Sequence, residues 1–235
     1  MLTGLSDGTH TLAVKHTNVF GTTSAAATAS WTIDTTVPAP PVLSGVPPAQ
    51  TNTTTASINL AGLTGATYTC SLDGGTAATC SSPKVLTGLT DGTHTLAVKQ
   101  TNVFGTTSAA ATASWTVDTI APAPPVLSGV PPAQTNTITA SIGFTGESGA
   151  SFSCSVDGGT YKACSSPKLL TGLADGTHSL AVTQTDLAGN KSAAATASWT
   201  IDTTVPAPPV LSGVPPAQTN NTTASIKIAG LTGAT

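Results

Sequence analysis

The sequence predicts an all-β chain of tandem antiparallel β-sandwiches, joined by proline-rich linkers into an extended rod. Three observations carry this. One set of motifs recurs every 84 residues without insertion or deletion. Within each recurrence apolar residues alternate with a period of two, the signature of a half-buried strand. Turn chemistry punctuates the alternation at short intervals, so Gly, Pro, Thr and Ser leave no stretch long enough for a helix.

The period orders everything else, as a repeat should. LTGLSDGTHTLAV begins at Leu2, LTGLTDGTHTLAV at Leu86 and LTGLADGTHSLAV at Leu170; PPVLSGVPPAQTN begins at Pro41, Pro125 and Pro209. With boundaries set in the linkers, the chain holds the C-terminal part of a repeat (1–36), two whole repeats (37–120 and 121–204) and the N-terminal part of another (205–235). The stretch after Met1 has neither the basic start nor the apolar core of a secretion signal, and the chain reads as an internal piece of something longer. Two readings of its ends stay open. Successive chains complete a shared sandwich from the two part-repeats, or the boundaries mark where a longer repetitive protein was cut, which is the simpler reading.

In chain order the strands of a repeat are these. ASIGF offers Ile142 and Phe144 to one face, and SFSCSVD offers Phe152, Cys154 and Val156. HTLAVKQ places His94, Leu96 and Val98 opposite Thr95, Ala97 and Lys99, and ATASWTVD places Ala113, Trp115 and Val117 opposite Thr112, Ser114 and Thr116. LDGG and VDGG make hairpin turns, LTDGTH a tight corner, TNVFGT a further connection and PAPP the link between repeats. About seven short strands in so few residues give a sandwich, with Trp31, Trp115 and Trp199 as core residues of the last strand.

Composition removes several function classes. Charged residues are 7% of 235, the formal net charge is −3, and only seven Lys and Arg are present. Nucleic acid and anionic lipid are held by clustered basic residues, so neither is an expected partner. No apolar run is long enough to insert into a membrane. Hydrophobic residues at 39% exclude wholesale disorder, which goes with few apolar residues and high net charge.

All four cysteines bracket hairpin turns: CSLDGGTAATC places Cys70 and Cys80, and CSVDGGTYKAC places Cys154 and Cys164. A hairpin closed on Asp-Gly-Gly brings the two positions of each pair nearly opposite, at disulfide separation. Disulfides within each repeat are the favoured reading. Zinc wants closer cysteine pairs with further ligands and is disfavoured, and reduced buried thiols are the other alternative. A short closed loop contributes about 3 kcal/mol, a large share of the stability of a small domain, and a stable disulfide implies an oxidising, extracytoplasmic location.

The run F-x-C-S-x-D-G-G-x-x-x-x-C-x-S-P, L-x-G-L-x-D-G-T-H-x-L, T-D-x-A-G-N and S-W-T-I-D-T-T-x-P resembles the bacterial Ig-like repeats found in tandem in large surface adhesins and extracellular fibre proteins. The resemblance covers both whole repeats and continues into the part-repeats. It implies Ig-like sandwiches exported to the cell surface or beyond, in adhesins, stalks and matrix components, without catalysis of their own. The stretch L-x-D-G-x-H-x-L-x-V resembles the corner that enters the next-to-last strand of immunoglobulin folds, with His where Tyr is more usual. Relatives of this kind can bind calcium through acidic residues of the T-D-x-A-G-N loop and the D-T-T-x-P linker. The third copy keeps Asp186, Asn190 and Asp202, whereas the earlier copies carry Asn18 and Asn102 for the loop Asp, and Thr22 and Thr106 for the loop Asn. Calcium favours clustered carboxylates, so a solvated turn is the favoured reading even at the third copy.

No catalytic constellation or cofactor motif is legible, and the chain is not expected to be an enzyme. His10, His94 and His178 follow Asp-Gly-Thr with no marked nucleophile beside them and read as hydrogen-bonded core histidines. His16, where later copies carry Gln100 and Gln184, reads as a surface substitution. Asp73, Asp157, Asp91, Asp175, Asp34, Asp118 and Asp202 lie in turns and beside linkers, where backbone capping is the expected role. The expected function is a structural spacer or fibre-forming segment of a long bacterial extracellular protein, self-associating with copies of the same chain or repeat through its low-charge surface. The rival reading is an adhesin-type module that recognises a glycan or protein, a host or matrix ligand unknown, through loops at one end of the sandwich. Loops that bind should differ between copies, yet TNVFGTTSAAATASWT is the same at 17–32 and 101–116, which favours spacing.

Overall fold

Strand-forming Thr, Val, Ile and Trp alternating with small polar residues leave each segment one apolar face, and pairs of sheets form to cover it. The structure, a computed structural model, describes residues 1–230. Its strands are β1 (Gly8–Val14), β2 (Ala27–Ile33), β3 (Val42–Ser44), β4 (Gln50–Thr51), β5 (Ala56–Ala61), β6 (Thr67–Leu72), β7 (Ala78–Cys80), β8 (Lys84–Leu86), β9 (Gly92–Thr101) and β10 (Ala111–Val117). They continue as β11 (Val126–Ser128), β12 (Gln134–Thr135), β13 (Ala140–Thr145), β14 (Ser151–Val156), β15 (Lys162–Cys164), β16 (Lys168–Leu170), β17 (Gly176–Thr185), β18 (Ala195–Ile201), β19 (Val210–Ser212) and β20 (Lys227–Ala229). The described residues hold no helix.

The chain clusters into two units: Met1–Pro122 with Thr185–Ser192, and Ala123–Gln184 with Ala193 onward. In the first, β3–β5–β8 forms one sheet and β4–β10–β9–β6–β7 the other. All pairings are antiparallel except β4 on β10, where Gln50 and Thr51 run parallel to Thr116 and Val117. Ile58 and Leu60 of the small sheet and Leu96, Val98, Trp115 and Val117 of the large one make the core. Burial of each large apolar side chain contributes roughly 1.5–3 kcal/mol. The repeat has eight strands rather than about seven, because β4 is a two-residue strand that carries no alternation of its own.

In the second unit β11–β13–β16 and β12–β18–β17–β14–β15 repeat the arrangement. Ile142, Phe144, Leu180, Val182, Trp199 and Ile201 fill the core, with Phe144 and Phe152 in tilted contact at 5.0 Å where the first repeat has Leu60 and Tyr68. The outward face of the β9–β10 pair carries hydroxyls in register, Thr93 on Thr116 at 3.2 Å and Thr95 on Ser114 at 3.1 Å. Such cross-strand pairs stabilise a sheet without charge.

The part-repeats fold as ribbons in the same registers as their counterparts. β1 pairs with β2 so that His10 faces Trp31, as His94 faces Trp115. β19 pairs with β20 so that Leu211 faces Ile228, as Leu43 faces Leu60.

Candidate functional site

Three recurring constructions distinguish a repeat from a generic sandwich: the stapled hairpin, the corner behind it, and the anchors of the two linkers. The hairpin comes first because its turn needs left-handed backbone at two successive residues. Asp73 (φ 52°) and Gly74 (φ 70°) supply it, as do Asp157 (φ 50°) and Gly158 (φ 72°). Asp is among the few residues with a side chain that tolerate this region. Cys70 and Cys80 are bonded across β6–β7 with Cα atoms 5.9 Å apart, and Cys154 and Cys164 across β14–β15 with Cα atoms 5.8 Å apart.

The hairpin turn is tied to the next strand but one. Asp73 accepts the Thr95 N–H at 2.7 Å through one carboxylate oxygen and meets His94 Nδ1 at 2.8 Å through the other. His94 Nε2 lies 2.8 Å from the Thr90 carbonyl oxygen. A carboxylate and a carbonyl only accept, so the two contacts favour the doubly protonated ring, which lies 6.2 Å from Trp115. The Asp73 hydrogen bond, the Thr90 carbonyl and the Asp73 charge raise the His94 pKa above its ordinary 6.5 against the opposing effect of burial. Burial pushes the Asp73 carboxyl up, but His94 and the Thr95 N–H outweigh it and hold the group below 3.8. Asp157, His178, Ala174 and Ser179 repeat the set at 2.9, 2.9 and 2.7 Å. The histidines are hydrogen-bonded at the corner, as the sequence implies. The aspartates are not merely local caps, because each reaches a residue about twenty positions away.

The glutamine anchors of the linkers went unseen in the sequence. Gln100 is buried; its Oε1 accepts the Leu63 N–H at 2.9 Å and its Nε2 donates to the Ala39 carbonyl at 2.6 Å. Gln184 does the same with Glu147 (2.8 Å) and Ala123 (2.6 Å). Room for the amide comes from a glycine: a Cβ on Gly62 would stand 2.1 Å from Gln100 Oε1, and one on Gly146 2.0 Å from Gln184 Oε1. The entering linker is thereby fastened to the end of β9 or β17. At the opposite end of these strands Asp91 accepts the N–H and hydroxyl of Thr119, both at 2.9 Å, and Asp175 those of Thr203 at 3.0 and 2.8 Å. Asp118 accepts the Ile120 N–H, and Asp202 the Thr204 N–H and hydroxyl. His16 occupies the glutamine position in the first part-repeat, where it is exposed. The glutamine at this position is a structural residue rather than one side of a surface variation.

The Asp186 loop belongs to the first unit. Its carboxylate accepts the N–H groups of Gly189 and Asn190, both at 2.7 Å, and Asn190 Nδ2 at 2.9 Å. Burial pushes this carboxyl up, but Asn190 and the N–H groups of Asn190, Gly189 and Ala188 hold it below 3.8. Asn190 Nδ2 also donates to the Asp118 carbonyl at 2.7 Å, and the Asn52 N–H to the Ala188 carbonyl at 3.0 Å. Backbone N–H groups and the Asn190 amide therefore occupy the oxygens that a cation would want. Among the described residues no group of three or more His, Cys, Asp or Glu is placed to hold a metal ion.

An open depression of about 290 Å³ beside the second hairpin is lined by Cys154, Thr160, Lys162, Cys164 and Lys168 among others.

Residues 124–203 match the family model described as bacterial Ig-like domain. No curated protein matches the chain significantly. Solved structures similar to it include the fibronectin(III)-like modules of Clostridium thermocellum CbhA, at 13% identity over 68% of this chain and 94% of that one, TM-score 0.43. A 1.5-MDa bacterial ice-binding adhesin, described for host cell surface retention, aligns at 16% identity over 75% of this chain and 70% of that one, TM-score 0.40. A tetra-tandem repeat from the extending region of a large adhesion protein aligns at 19% identity over 88% of this chain and 59% of that one, TM-score 0.33.

Proposed function

We propose, from the premise that residues 124–203 are a bacterial Ig-like domain and that its sequence recurs in register on either side, that this chain is a spacer or fibre-forming segment of an exported bacterial repeat protein. The boundaries read from the sequence, 1–36, 37–120, 121–204 and 205–235, are its working units. The observation that carries the reading is the fastening of both linker flanks. Thr119 is held by Asp91 and Ala123 by Gln184, so only Ile120, Ala121 and Pro122 separate two anchored positions. Proline restricts what freedom remains. Units so joined add length instead of coiling, roughly 30–40 Å per repeat from the rise of a strand. The disulfides support a location outside the cytoplasm, at the cell surface or beyond. A hydroxyl-rich outer face with few charges supports lateral association between copies, since little repulsion opposes it.

Small-angle scattering on this chain and on a version lengthened by one 84-residue repeat tests the reading. The maximum dimension grows by the length of one unit if the chain is a spacer. A compact particle whose size rises only with the cube root of mass would end it.

One observation favours the second reading, a binding module. The hairpin is one place where the whole repeats differ: Ala77 and Ala78 become Tyr161 and Lys162, beside the depression that Lys168 also lines. A glycan or protein ligand recognised by this chain would be lost on Tyr161→Ala with Lys162→Ala, while a spacer would be indifferent to both.

A further inference from the structure

One open edge of the second sandwich gathers positive charge. β15 is an outer strand of the large sheet and β16 of the small one, and only Ser165, Ser166 and Pro167 cross between them. Lys162 pairs with Cys154 and Lys168 with Ile142, both of which are buried. Residues directly opposite on paired strands share a face, so each lysine stands on the inward side of its own sheet, at the rim of the gap between the two. Both line the open depression of about 290 Å³, together with Val156, Thr160 and the Cys154–Cys164 disulfide.

The two lysines converge without a counter-charge. Among the described residues no carboxylate lines the depression or pairs with either lysine. Asp157, the carboxylate of the hairpin turn, is engaged by His178 at 2.9 Å and by the Ser179 N–H at 2.7 Å. Like charges brought to one site repel, and an anion between them relieves the cost. The first repeat shows that the fold does not require the pair. Lys84 lies opposite Ile58 there, as Lys168 lies opposite Ile142, but the residue opposite Cys70 is Ala78.

We propose that this cleft binds a carboxylate-bearing saccharide, with the carboxylate between the Lys162 and Lys168 ammonium groups. The inference rests on the binding-module reading and names the class of its ligand. The depression has the size of the smallest ligand sites, enough for one sugar ring. Val156 and the disulfide give an apolar wall for the C–H face of the ring, and Thr160 offers a hydroxyl to those of the sugar. An acidic peptide fits less well. Extended peptides are held by adding a strand to a sheet edge, and β15, the edge here, is three residues long and stapled to β14. Two charges near solvent and one ring give weak binding, with a dissociation constant on the order of 1–10 mM that rises with salt.

Nitrogen-edited NMR of the 235-residue chain, titrated with glucuronate, tests the proposal, with glucose, acetate and a tri-aspartate peptide as comparisons. Glucuronate shifts the amides of residues 160–168 saturably and leaves those of 76–84 in place, so the first repeat serves as a control within the same molecule. Glucose gives no shift, and acetate and tri-aspartate bind about tenfold more weakly than glucuronate. Lys162→Ala, which gives this position the residue of the first repeat, weakens glucuronate about tenfold, while the rest of its spectrum shows the chain folded. Equal shifts in 76–84, or undiminished binding by Lys162→Ala, overturns the proposal. Acetate or tri-aspartate binding as tightly as glucuronate overturns the saccharide assignment. Glucose binding as tightly as glucuronate overturns the acidic class and leaves the binding-module reading standing. A chain silent to all four probes overturns the proposal and counts against the binding-module reading as well, and none of these outcomes touches the spacer reading.

Discussion

Residues 17–32 and 101–116 are the same sequence, TNVFGTTSAAATASWT, in two settings. In the whole repeat Trp115 is 2% exposed; in the part-repeat Trp31, paired to His10 in the equivalent register, is only half-buried. Register and turn are thus local properties of the segment, whereas burial is supplied by the opposite sheet. The same contrast separates Gln100, clamped between Leu63 and Ala39, from the exposed His16 at its position.

Four measurements break or sharpen that comparison. The largest effect is expected from tryptophan. Trp115→Ala removes a fully packed ring and costs about 3–5 kcal/mol, while Trp31→Ala costs about 0.5 kcal/mol, as at a surface. Denaturant unfolding followed by near-ultraviolet dichroism reads both, and equal losses would mean that the β1–β2 face is covered in solution. Next comes the staple. Replacing Cys70 and Cys80 together by Ala lowers the stability of 37–120 by about 3 kcal/mol and leaves 121–204 unmoved. Calorimetry should therefore split one transition into two.

Gly62→Ala is third. The new methyl group displaces the Gln100 amide and leaves the Leu63 N–H and Ala39 carbonyl without partners, at about 1–3 kcal/mol. It also frees residues 37–41, which limited proteolysis detects as a new cut ahead of β3. The same exchange at Gly230, the corresponding position of the last part-repeat, meets only Pro209 at 3.8 Å and leaves the amide clamps untouched.

The smallest effect is that of pH. His94 and His178 have raised folded-state values, so their contribution is complete below the ordinary histidine value of 6.5 and is lost as pH rises through the folded one. Asp73 and Asp157 have lowered values; their contribution is present above 3.8 and lost as pH falls through the folded one. The melting temperature is therefore highest between about 3.8 and 6.5. His94→Gln with His178→Gln flattens its decline on the alkaline side.

Much of the fold was legible because alternation reports burial directly: Ile142, Phe144, Leu96, Val98 and Trp115 were placed inward from the sequence and are in the core. β4 was not legible, since two residues cannot alternate. The Asp73–His94 tie was half legible. Both residues stood out, but their pairing depends on β6 lying beside β9, a long-range fact that no local pattern carries. Gln100 was not read as an anchor, because its first counterpart is His16, and a position that varies between copies resembles a surface one. Its signal was the conjunction of Gln100 and Gln184 with Gly62 and Gly146 at matching positions.

The two linker anchors sit at opposite ends of one strand, Gln100 near the close of β9 and Asp91 just before its start. When the chain is pulled from its ends, the fastenings at Ala39 and Thr119 place the ten residues of β9, with the parallel β4–β10 pair beside it, between the points where force enters and leaves. The disulfide hairpin lies to one side of that path. It is a device against unfolding by heat, and cutting it should leave the tensile strength of the repeat nearly unchanged.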